Sequence, residues 1–385
     1  MNPFIGASSE TFFIEEVTPN VTPASPAWTT LRNTGGMPVI TKDTLQSEES
    51  DGSREVKSVR TGSESVTGEF STELSFGSHD ALYENAMSSA FVAGLDVASV
   101  EITVDETLKT FTRTAGDFLA DGFLVGDLVD MPLLTGNNAK PFIATAVTAS
   151  VITGAAITIT LSPEVVTTNV RSGDKLGTGN ECKTMSVMTK LTGKCGTITQ
   201  YIVTTGVEMT GWSLDVSVNA TVTGSFPIIG RKQEEGSPTP PSGSTFNPES
   251  STKPYASVDG KVIESGALQA GVTSIAYTND NNASPQFELG SKAVSFVERG
   301  TANNSLSATV FMEDTELLNK FINDTIVDVA VILNHPDGGA MSFSTPQTVL
   351  TEVTPELSAE SVTQSVGGTA IGDANNSSMV IQRLA

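Results

Sequence analysis

Two cysteines and two histidines are all the thiols and imidazoles that 385 residues offer for metal or redox chemistry. Neither His79 nor His335 stands in an HExxH pair or at a Cys/His ligand spacing, which argues against a zinc site. Cys182 and Cys195 lie thirteen residues apart and would need a hairpin to meet; they read as two reduced thiols. Two tryptophans and four tyrosines are too few for the aromatic platforms on which sugars stack. Glycines are plentiful, yet no Walker loop, no GxGxxG after a strand and no GxSxG elbow occurs; GDLVDMPLLTGNNAKP at 126–141 lacks the lysine–serine ending that grips phosphate. The turn-like NDNNAS (279–284) and DANNSS (373–378) match no EF-hand loop and read as exposed turns. Basic residues are also scarce. Twenty-one Lys and Arg against 44 Asp and Glu give a net charge of −23, which repels nucleic-acid phosphates and anionic membranes. No stretch approaches the roughly 18 apolar residues of a membrane helix, and the N-terminus lacks the basic region and apolar run of a signal peptide. The sequence therefore points to no catalytic residue, no metal and no cofactor.

What is present is the vocabulary of short strands and turns: 38% hydrophobic, only 17% charged, 34 Gly and 18 Pro. Residues 1–48 read as an extended arm, because Pro3, Pro19, Pro23, Pro26 and Pro38 interrupt regular elements. Phe4, Phe12, Phe13, Ile14 and Trp28 are too apolar for a free tail and require cover from this chain or a neighbour. In SVTGEFSTELSFGSHDALYENAM (65–87) the residues Val66, Gly68, Phe70, Thr72, Leu74 and Phe76 share one strand face. A short helix follows, with Ser78 as N-cap, Asp80 in the first turn and a stripe of Leu82, Tyr83, Ala86 and Met87. SLSATVFMEDTELLNKFI (305–322) repeats the plan: Leu306, Ala308, Val310 and Met312 alternate, Asp314 caps, Glu316 complements the dipole, and Leu317, Leu318, Phe321 and Ile322 form the stripe. Four strand-like runs between 97 and 179 predict a small all-β insertion, in the form of a compact barrel. The Pro/Ser/Gly-rich stretch 231–254 reads as a linker. The segments 206–226 and 290–311 share a strand–turn–strand plan and suggest an internal repeat.

These strand-to-helix passages, with LDVSVNATVTGSFPIIGRK (214–232) and SLSATVFMEDTELLNKFINDT (305–325), resemble the major tail tube proteins of long-tailed, non-contractile bacteriophages. The resemblance covers about 50–95, 180–230 and 255–385. It implies a mainly β chain of two tail-tube-type β-sandwich or half-barrel units, each with a flanking helix. The first would be 49–96 plus 180–230 and the second 255–385, with the insertion at 97–179 and the linker at 231–254. It further implies a structural, non-enzymatic virion protein, made in the host bacterial cytoplasm, whose rings stack into the tube through which double-stranded DNA is ejected. Two units per chain would give trimeric rings with pseudo-sixfold symmetry. The expected partners are the chain itself, a tape-measure protein, tail terminator and tip proteins, and passing DNA, with no membrane. Phe4, Phe12, Phe13, Trp28 and Phe246 are the candidate inter-subunit contacts. The alternatives are a capsid-decoration or surface-layer protein, a β-sandwich glycoside hydrolase using a carboxylate pair, and a carbohydrate-binding module.

Overall fold

A computed structural model describes residues 3–47, 55–56, 58–136, 139–155, 161–196, 198–335, 338–357, 361–372 and 377–385. The fold is mainly β. The first strands, β1 (Glu10–Glu15), β2 (Ala27–Leu31) and β3 (Val39–Gln46), fall in the stretch expected to be an arm. The prolines do not prevent them. Pro19 and Pro23 lie between strands, and Pro26 and Pro38 stand just ahead of β2 and β3, where the missing N–H costs no ladder bond. Residues 10–46 are thus part of the body of the chain.

The long strand β4 (Val59–Glu73) buries Val66, Phe70 and Thr72 on the predicted face, with Leu74 just beyond it. Helix α1 (Asp80–Met87) buries the whole predicted stripe. It starts one residue later than Ser78 predicts. Its N-cap is His79, which makes no side-chain cap, while the Ser78 hydroxyl accepts from Ser75 at 2.7 Å. His79 is drawn inward instead, and its Nε2 donates to the Arg32 carbonyl at 2.9 Å.

Six strands then close a small barrel: β5 (Asp96–Asp105), β6 (Thr110–Arg113), β7 (Leu128–Asp130), β8 (Phe142–Val147), β9 (Val151–Ala155) and β10 (Val165–Ser172). A single-turn helix, α2 (Phe118–Asp121), is capped by the Asp117 carboxylate, which accepts the amides of Leu119 and Ala120. The barrel has its own core, with Phe111 stacked on Phe142 at 4.6 Å and Phe118 set edge-on to Phe123. The apolar run at 122–131 supplies only the short β7, because Gly126 turns the chain at φ 91°. Residues 156–160 of the run AAITITLSP lie outside the described residues.

The first half of the chain ends with β11 (Asp174–Gly177), β12 (Met185–Thr192), β13 (Thr199–Met209), β14 (Gly211–Ser217), β15 (Thr223–Gly230), β16 (Lys232–Gln233) and β17 (Thr245–Asn247). Part of the stretch read as a linker is ordered against the body: β17 pairs parallel with β2. The second half contains β18 (Gly260–Glu264), β19 (Ala267–Leu268), β20 (Val272–Asp280), the hairpin β21 (Ser284–Gln286) and β22 (Phe296–Glu298), and β23 (Asn303–Phe311). It continues with α3 (Glu316–Ile322), β24 (Ile326–Asn334), β25 (Ala340–Leu357), β26 (Val362–Ala370) and β27 (Val380–Leu384). The Asp314 carboxylate accepts the Glu316 amide at 2.8 Å at the start of α3. Leu317 is buried, Leu318 and Phe321 are half-buried, and Ile322 points into solvent where this short helix ends.

Pairing order reveals how the halves relate. The first runs β3-β4-β15-β14 and the second β20-β23-β26-β25. In each half a strand beyond the helix, β12 or β24, pairs with the strand that follows it and with the first strand of that half, β1 or β18. The match between 206–226 and 290–311 is therefore overturned. The counterpart of the β14–β15 pair is the β25–β26 pair, whereas 290–311 holds β22 and β23. Alternation marks a strand but says nothing about its partner.

One core spans both halves. Tyr83 of α1 lies 5.2 Å from Trp212 (β14), 5.0 Å from Phe226 (β15) and 5.7 Å from Phe343 (β25), ring centre to ring centre. Burial pushes the phenols of Tyr83, Tyr255 and Tyr277 above the ordinary tyrosine range, and the hydroxyls of Tyr83 and Tyr277 have no hydrogen-bond partner among the described residues. The unfolded chain deprotonates near pH 10 while these folded phenols keep their protons, so stability must fall as pH rises past about 10. The urea midpoint is expected to drop sharply between pH 9 and pH 11, and an unchanged midpoint would contradict this burial.

Candidate assembly surface

The two halves join edge to edge. β14 and β20 pair antiparallel over seven positions, from Gly211 opposite Asp280 to Ser217 opposite Ser274. This seam makes one eight-stranded run, β3-β4-β15-β14-β20-β23-β26-β25. One face of the run packs on the core through Phe70, Leu214, Phe226, Tyr277, Leu306 and Val366. Successive residues of a strand point to opposite faces, so the register fixes the composition of the other.

One row on that face crosses seven strands as Glu73, Thr223, Asp215, Ala276, Ser307, Gly367 and Glu352. The next reads Ser71, Ser225, Ser213, Thr278, Ser305 and Thr369. All of these positions are exposed or half-exposed. Glu69, Asp280 and Glu356 add further carboxylates, and the six strands β15, β14, β20, β23, β26 and β25 contain no lysine or arginine. Hydroxyls and carboxylates are tied locally: Ser213 to Ser225 at 2.9 Å, Ser217 to Asp215 at 2.6 Å and Thr354 to Glu352 at 3.1 Å. The face is therefore smooth, hydroxylated and negative.

The run ends in two open edges. β3 has only β4 as ladder partner among the described residues, and residues 350–357 of β25 have only β26. Unpaired edges invite pairing with another chain.

Of the five aromatics singled out by sequence, three are occupied within the chain. Phe12 and Trp28 share a small core with Met188 and Val203, and the Trp28 indole donates to the Ser244 hydroxyl at 3.0 Å. Phe13 sits in the central core. Phe4 and Phe246 remain nearly half exposed, with Phe246 resting edge-on against Phe12 at 5.0 Å. Sequence reasoning missed the acidic rows and the open edges. Their signal was the Ser, Thr and Glu at alternate positions of β4, β14, β23 and β25.

An extended sheet with one acid-and-hydroxyl face and two open edges is the geometry of a structural protein. The family model described as phage tail tube protein matches residues 6–370, nearly the whole chain, and the chain belongs to that family. It is a bacteriophage virion component, a structural protein of the tail tube and not an enzyme. No curated protein matches the chain. No helix among the described residues is long and apolar enough to cross a membrane.

Proposed function

We propose that three copies of the chain close into a ring, and that rings stack into the hollow tail tube through which double-stranded DNA is ejected. The observation that carries this reading is the β14–β20 seam, which joins two halves of the same strand order. Each half is taken as one tube unit: the sheets around 49–96 and 180–230, with the strands of 10–46, form the first, and 255–385 the second. Each chain then fills two of six positions around the ring. Three junctions are seams inside chains, and three are formed by the 350–357 edge of one chain meeting the β3 edge of the next. Three chains at eight strands each would close a barrel of twenty-four, and closure removes the edges.

The acidic rows would face the lumen. Carboxylates there repel phosphate, so DNA slides without binding, and hydroxyls keep the wall wetted. The barrel of β5–β10 belongs on the outside, since inside it would block the channel. Phe4 and Phe246 remain available for contacts between subunits. The tape-measure, terminator and tip proteins would meet the lumen and the two ends of the stack.

Negative-stain electron microscopy of the concentrated protein tests this reading. Hollow tubes or stacked rings with a central channel are expected. Flat sheets, the habit of a surface-layer protein, would overturn it.

A further inference from the structure

Stacking requires the top of one ring to fit the bottom of the next, and β20 carries a different apolar feature at each end. The argument rests on the ring reading above. Beyond Asp280 the chain leaves the sheet as the β21–β22 hairpin, a two-stranded sheet of its own. Its root is fixed. Arg299 donates to Glu208 and to the Asn85 carbonyl, both at 3.0 Å, and Asn281 donates to the Ala86 carbonyl at 2.7 Å. Lys292 reaches the Thr61 hydroxyl at 2.8 Å. From this anchored base Phe287 and Phe296 project about half exposed, and Leu289 stands entirely in solvent. A rigidly held apolar projection of this kind marks a contact.

At the opposite end, where β20 begins and β14 ends, a groove of about 250 Å³ opens on the seam. Val216, Val218, Val262, Leu268, Val272 and Ile275 supply its apolar walls. Its one charged lining residue is Lys261, whose ammonium is held below its ordinary pKa by burial and by the nearby positive charge of Lys140. A carboxylate arriving there meets a charge of opposite sign. The hairpin carries such a carboxylate, Glu288, between Phe287 and Leu289. The nine residues of β20 put about 30 Å between the two features at roughly 3.3 Å per residue, so they cannot meet within one chain. With a charge of −23, two copies repel each other unless a specific contact offsets it.

We propose that Leu289, with Phe287 beside it, seats in the seam groove of a second copy in the next ring, with Glu288 against Lys261. The contact is head-to-tail, so it propagates along the tube instead of closing.

The test places Leu289→Cys and Val218→Cys together in a full chain that also carries Cys182→Ser and Cys195→Ser. After assembly and oxidation, a ladder of dimers, trimers and longer axial strings is expected on a denaturing gel, with none from either single variant. Tubes from the double variant that yield no ladder would overturn the contact. Leu289→Asp provides a check that does not depend on a disulfide. It should leave the thermal midpoint and the rings intact while abolishing tubes, and tubes of unchanged length would overturn the proposal. Absence of rings from the unsubstituted chain would strike at the ring reading itself. Intact rings with stacking insensitive to Leu289 would strike at this contact alone.

Discussion

Trp212→Ala is expected to destabilise the chain by about 3–5 kcal/mol, the usual cost of deleting a large core aromatic. Its indole is buried on the seam strand β14, set against Tyr83 at 5.2 Å and Phe343 at 5.7 Å, and its Nε1 donates to the Met87 sulfur at 3.3 Å. Those contacts come from α1 in the first half and β25 in the second, so the cavity would open where the halves share their core. Domains have only about 5–15 kcal/mol in hand. The substitution should therefore remove a large part of total stability and shift the whole urea transition, not one phase of it. A loss below about 1 kcal/mol, or a transition split in two, would mean that the halves fold without a common core.

The second large effect is electrostatic. Glu73→Lys, Asp215→Lys and Glu352→Lys together change one row of the acidic face by six charges per chain. The positions are exposed or half-exposed, so each substitution should alter folding by no more than about 0.5 kcal/mol. Tubes of the triple variant are expected to retain duplex DNA at low salt and release it as salt rises. Each lysine that reaches a phosphate should steepen the log–log salt slope by about 0.9. Unsubstituted tubes should retain none. Triple-variant tubes that ignore DNA at low salt would show that this face does not line the channel.

The legible parts of the fold were those with a local cause. β4 and β23 announced themselves because Phe70 and Leu306 recur in step with small or apolar neighbours on a period of two. Helices α1 and α3 announced themselves through Leu82, Tyr83, Met87 and Leu317 at helical spacing. Pairing was not legible. The strand–turn–strand plan at 206–226 fits any neighbour equally well, and only the ladder shows β14 meeting β20. The prolines of the first 48 residues marked where strands stop, which concealed the strands between them. The need to cover Phe12, Phe13 and Trp28 was apparent, but not that β12 and β13 of the same chain cover them. The acidic face is the clearest case. Glu73, Asp215 and Glu352 are scattered over 280 positions of sequence and become one row only through six successive registers.

The number of chains in one ring tests the central claim most directly. Native mass spectrometry of isolated rings is expected to give three times the chain mass, and end-on averages should show six similar lobes with only threefold symmetry. Six chains per ring would contradict the account, because the β14–β20 seam would then no longer stand in for a junction between chains.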